Sequence, residues 1–136
     1  MWQPTSEEVM ESYLLGIRAD PLSHEVALEF RSPGGNTFAL HAYDVEALEL
    51  NDFAHQNIVF EVRVIDGRSD PQVVRDLLAV ALFKVAAASE VVADTQIRTL
   101  DERTNRVLEG RQVLMELEPV FGASLVLLAG SLEWNL

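Results

Sequence analysis

Three histidines, His24, His41 and His55, stand among carboxylates in the first half of the chain, the mixture from which metal centres and acid–base catalysts are built. None reaches a recognised ligand spacing. His24-Glu25 would need a histidine at 28 to read as H-E-x-x-H, and residue 28 is leucine. His41 with Asp44 is the best remaining pair, and an imidazole without two further ligands binds metal weakly. Asp44 with Glu46, or Glu46 with Glu49, could form a general acid and base, but such work needs one carboxyl withdrawn from water, and nothing nearby specifies a cleft. The same residues read more simply as a solvated acidic strand edge. For a serine nucleophile, Gly122-Ala123-Ser124-Leu125-Val126 lacks the second glycine of G-x-S-x-G, and no histidine follows it. Gly34-Gly35 precedes neither a helix start nor a P-loop lysine, so it reads as a turn and not a phosphate cradle. These residues point to a non-catalytic protein with no metal and no cofactor.

The charge is more informative than any motif. Twenty-two acidic and 10 basic residues give a net charge of −12. Residues 1–62 hold eleven of the acids against Arg18 and Arg31, a balance of −9, and no Lys or Arg occurs from Ser32 to Val62. Such a field repels phosphate backbones and anionic lipid and speeds encounter with a basic protein. Nucleic acid and membrane surfaces are therefore poor partners. Solubility alone also accounts for moderate acidity.

There is no cysteine, which removes disulfides, thiolate zinc sites and a cysteine nucleophile together and fits a reducing compartment. The first residues, MWQPTSEEVMES, lack the basic and apolar regions of a secretory leader. The longest uncharged run, between Glu118 and Glu133, is interrupted by Pro119, Gly122 and Gly130 and is shorter than the roughly 18–20 apolar residues of a spanning helix. The expectation is a soluble, cytoplasmic chain whose 136 residues suit a single domain, 1–136.

The elements that must position these residues are mostly strands. Thr5-Ser6-Glu7-Glu8 suggests one helical turn leading into a strand near 11–19, ended by Asp20-Pro21. Val26, Leu28 and Phe30 alternate with Ala27, Glu29 and Arg31, and Ser32-Pro33-Gly34-Gly35-Asn36 supplies a turn, so 24–31 and 37–43 form a hairpin. Phe38 and Leu40 share one parity, Tyr43, Val45 and Ala47 the other, and Leu48 and Leu50 the first again, which requires a bulge or bend near 43–47. Residues 58–65 are apolar on both parities, as in a central strand. Asp70-Pro71 opens a helix whose apolar positions continue to about 87. Val91-Val92 and Thr95–Ile97 suit a strand; Thr99-Leu100-Asp101-Glu102 has capping-box spacing, with either a short helix ended by Gly110 or a plain turn after it. Val113, Met115 and Leu117 alternate, Glu118-Pro119 breaks, and 123–134 reads as one long inner strand with Trp134 as a core or rim anchor. The fold class is α+β: a mainly antiparallel sheet of about six strands with one principal helix packed on it.

Residues 44–64 resemble the small β-rich immunity proteins of bacterial polymorphic-toxin systems, in particular the group catalogued as immunity protein fifty. The likeness is carried by Val45, Leu48 and Leu50, then Phe53, Gln56 and Asn57, then the strand Ile58–Val64. Val120-Phe121-Gly122 and the apolar strand ending at Trp134 resemble that group's aromatic-Gly turn and final strand. The two stretches cover about a third of the chain, and residues 69–110 have no counterpart. The resemblance implies a cytoplasmic protein that binds and blocks one cognate toxin, without catalytic residues. Joined to the charge, it makes a basic toxin domain the expected partner and Asp44, Glu46, Glu49 and Asp52 the expected contacts. Two other readings compete: an assembly subunit forming a homo-oligomer through its apolar last strand or a sheet edge, and a small-molecule binder with a pocket between sheet and helix near Trp134, Tyr43 or His41.

Overall fold

The computed structural model describes residues 2–136. Its elements are α1 (Ser6–Val9), β1 (Tyr13–Asp20), β2 (Glu25–Arg31), β3 (Thr37–Tyr43), β4 (Ala47–Asn51), β5 (Ile58–Ile65), α2 (Pro71–Phe83), α3 (Asp94–Leu108), β6 (Val113–Phe121), β7 (Ser124–Ala129) and β8 (Ser131–Asn135). The α+β class and the antiparallel sheet hold. The expected count of about six strands and one principal helix does not: the described residues form eight strands and three α-helices, two of them long.

The strand order is β4-β7-β6-β5-β1-β2-β3-β8, all antiparallel. Two bends account for the extra strands. Asp44–Glu46 separates β3 from β4, and Gly130 divides the expected long strand into β7 and β8. β3 pairs with β8 while β4 pairs with β7, so two bent ribbons run side by side and fold the sheet back on itself. Gly130 N–H donates to the carbonyls of Tyr43 (2.9 Å) and Asp44 (3.2 Å) and joins the bends. A Cβ at Gly130 would lie 3.0 Å from Asp44 Cβ, so the crossing needs glycine there.

The inner faces of both halves share one core, in which Leu28, Phe30 and Leu40 meet Met115, Leu117, Leu125 and Leu127. Phe30 and Phe38 stack at 5.2 Å between ring centroids, and Trp134 lies 5.9 Å from each as an anchor. β1 and β5 pair only at Tyr13 and Ile58, because β5 continues alongside the N-terminal segment instead of along β1. α1 closes that seam. Its capping box, Thr5 with Glu8, holds one turn that drops Val9 into the core, and Trp2 packs on Phe38 at 5.9 Å.

A second core lies on the other face of β6 and β7. Leu114, Val126 and Leu128 turn outward there against Val74 and Leu78 of α2 and Leu100 and Val107 of α3. The alternation in β7 thus serves both layers, Leu125 and Leu127 inward and Val126 and Leu128 outward. Asp70 caps α2 by accepting from Gln72 N–H at 2.8 Å. α2 ends at Phe83, before the expected 87, because Lys84 turns left-handed with φ 59°. Thr95–Ile97 are not a strand; they lie in the first turn of α3, and Thr99 is interior to that helix, its hydroxyl donating to the Thr95 carbonyl. Nor does Pro119 break β6, since register irregularities in the facing β5 around Val59 absorb its missing N–H. Among the described residues no helix is long and apolar enough to cross a membrane.

Candidate functional site

β4 stands at one end of the strand order, paired with β7 on one side and, among the described residues, with no strand on the other. All four expected contact residues belong to β4 or its two ends, and the fold separates them into two kinds. Glu46 and Glu49 turn toward the helical layer. Glu46 takes Arg103 Nε on both carboxylate oxygens, at 2.8 and 2.7 Å, and Gln112 Nε2 at 3.0 Å. Glu49 meets Lys84 Nζ at 2.6 Å. Asp44 and Asp52 close the two ends of the segment in left-handed backbone, φ 52° and 58°, exposed and with no cation at ion-pair distance among the described residues.

Between this free edge and the β1–β2 turn runs a groove of about 380 Å³. Its walls are apolar: Ala19, Pro21, Val26, Val45, Ala47 and Leu48. Asp20, His24, Glu25 and Glu46 supply the polar rim, and no Lys or Arg lines it. The Val45 N–H to His24 carbonyl bond, 2.8 Å, ties the turn to the ribbon bend. Asp20 accepts from Leu22 N–H at 2.9 Å and Ser23 N–H at 3.4 Å, and these backbone donors hold its carboxyl below the usual aspartate value, so it stays ionised. Further along the same segment Leu50 and Phe53 remain 36% and 49% exposed.

Sequence reasoning missed Lys84. It is the only lysine of the chain, which was its one signal. From the end of α2 its ammonium reaches the β4 edge, donating to the Leu48 carbonyl at 2.8 Å while paired with Glu49. Arg103, from α3, was likewise unreadable as a partner of Glu46. Hydrogen bonding by Glu46 raises the guanidinium above its ordinary value, so this cation is permanent.

The other chemical candidates do not assemble. Among the described residues no group of three His, Asp or Glu side chains is placed to hold a metal. His41 lies parallel to Tyr43 at 6.4 Å between ring centroids, on the strand face opposite Trp134's core partners. Trp134 borders a cavity of about 290 Å³ beside α1 and β5, and His41 borders a different one with Arg18, Asp20 and Glu25. Asn57, part of the resemblance, is 3% exposed and structural: its Oδ1 accepts from Ala54 N–H (2.9 Å) and Ala123 N–H (3.0 Å), and its Nδ2 donates to the Ala54 carbonyl (2.9 Å). The chain matches no protein family, no curated protein and no solved structure.

Proposed function

We propose that the protein is a non-catalytic inhibitor of the immunity type, which binds a basic bacterial toxin domain and blocks it by occlusion. The observation that carries this reading is the unpaired β4 edge beside an apolar groove whose polar rim holds three carboxylates and no Lys or Arg. Apolar contact supplies affinity in such a surface, and the acidic rim supplies orientation and speed of encounter. Asp44 and Asp52 are the contacts open to a partner, while Glu46 and Glu49 shape the edge through their own cations. The resemblance at residues 44–64 falls on this same segment. The reading places the protein in the cytoplasm, where an incoming toxin would be met.

The test is co-expression with a basic toxin domain followed by recovery of the complex. Protection of the cells, a stoichiometric complex that salt weakens, and loss of both in the Asp44→Lys/Asp52→Lys variant are the expected results. Protection undiminished by that variant would remove the acidic-edge assignment.

Self-assembly remains the second reading, favoured by one observation. The long apolar strand expected to mediate it is split: β7 lies inside the sheet between β4 and β6, while β8 stands at the other end of the strand order. Tyr13, Phe60, Val120 and Phe121, by contrast, are 40–59% exposed around the β5–β6 end. A dimer in solution that resists salt and is broken by Phe121→Ser would favour it.

A further inference from the structure

We infer that the β4 edge accepts an extended basic segment of the partner as an added ninth strand, with Lys84 holding its place in the free protein; this rests on the inhibitor reading and specifies how the partner is gripped. In an antiparallel edge strand alternate residues turn N–H and C=O away from the paired neighbour. The Leu48 carbonyl is such a group, since it accepts from a side chain, Lys84 Nζ. Leu50 has the same parity and presents its backbone on the same side. A segment laid along β4 would pair with Leu48 and Leu50, place alternate apolar side chains over the groove beside Leu48, and bring its cations to Asp44 and Asp52.

The charge argues for a basic occupant over a second copy. Two β4 edges pairing with each other would bring the open Asp44 and Asp52 of each copy together across the new ladder, and like charges facing across strands repel. Lys84 shows what the edge accepts: a cationic donor that gives a hydrogen bond to Leu48 and an ion pair to Glu49. A lysine over an open edge also discourages indiscriminate strand pairing. The partner's backbone N–H would replace the Lys84 bond to Leu48.

The test uses the full chain and a nine-residue capped peptide alternating valine and lysine, followed by amide chemical shifts, hydrogen exchange and calorimetry. The expected result is at least tenfold slower exchange at the Leu48 and Leu50 amides. N-methylation of the peptide nitrogens on one edge should abolish binding, and Asp44→Lys/Asp52→Lys should weaken it about tenfold. Lys84→Ala should strengthen it several-fold, by freeing the Leu48 acceptor and adding one net negative charge. No binding at millimolar peptide, protection confined to other strands, or indifference to N-methylation would each overturn the strand-addition inference. Cell protection lost in the Asp44→Lys/Asp52→Lys variant, with peptide binding indifferent to N-methylation, would refute strand addition alone. Peptide pairing at Leu48 and Leu50 beside undiminished protection in that variant would refute the acidic-edge reading and keep the added strand.

Discussion

Glu46 and Arg103 lie 57 residues apart and meet through both carboxylate oxygens, at 2.8 and 2.7 Å from one guanidinium nitrogen. The contact fastens the β3–β4 bend to α3, so the acidic segment is held against the helical layer from behind. Both side chains are partly buried, and neither is replaced there by water without loss. Glu46→Gln should lower stability by about 1 kcal/mol in urea unfolding. Arg103→Met, which leaves Glu46 without its cation, should cost at least as much.

Asn57→Ala should be more damaging. It strips acceptors from the Ala54 and Ala123 N–H groups in a buried setting and should cost about 2–4 kcal/mol. Gly122→Ala attacks the same joint from the other side: φ is 87°, and the added Cβ would come within 2.8 Å of the Gln56 carbonyl oxygen. Both variants should lower the thermal midpoint, measured by circular dichroism.

The β1–β2 turn gives a pH signature. Leu22 and Ser23 N–H groups hold the Asp20 carboxyl below its ordinary 3.8. A depressed folded-state value means that the contribution is present above the unfolded value and is lost as pH falls through the folded one. Thermal midpoints of wild type and Asp20→Ala should therefore differ near neutrality and converge on acidification below the ordinary value. A gap that persists in acid would assign the effect to side-chain packing instead.

Leu28→Ala tests the shared core. Leu28 is 1% exposed and sits where both halves of the sheet meet, so truncation should cost about 3 kcal/mol. Leu22→Ala, at an exposed turn position, should change stability by less than about 0.5 kcal/mol in the same urea titration.

Local chemistry made much of this fold legible. The 24–31/37–43 hairpin, the change of phase at 43–47, the strand 58–65 and the Asp70-Pro71 helix start each follow from turn residues or side-chain parity, and each has its counterpart in the structure. α3 was hidden because Ala93, its N-cap, makes no side-chain cap bond, while Thr99 carries capping-box spacing inside the helix. Residues 123–134 read as one strand across Gly130, whose close approach to Asp44 makes it the corner of the sheet. The acidic segment itself was visible as a run without Lys or Arg. Its division into Asp44 and Asp52, left open, and Glu46 and Glu49, paired to Arg103 and Lys84, depends on partners 57 and 35 positions away and has no local mark.

The cross-pairing of the two bent ribbons also sets when the molecule can form. Ala39 pairs with Asn135 and Tyr43 with Ser131, so the hairpin made earlier in synthesis waits for residues 131–135 to emerge. Until residues 124–135 have emerged, Phe38, Leu40 and Leu48 have no opposing ribbon, and a chain cut before 124 would never gain one. Contacts so distant along the chain make closure slow. The nascent protein should therefore pass through a sticky, chaperone-dependent interval that lasts until residues 124–135 are available to pair.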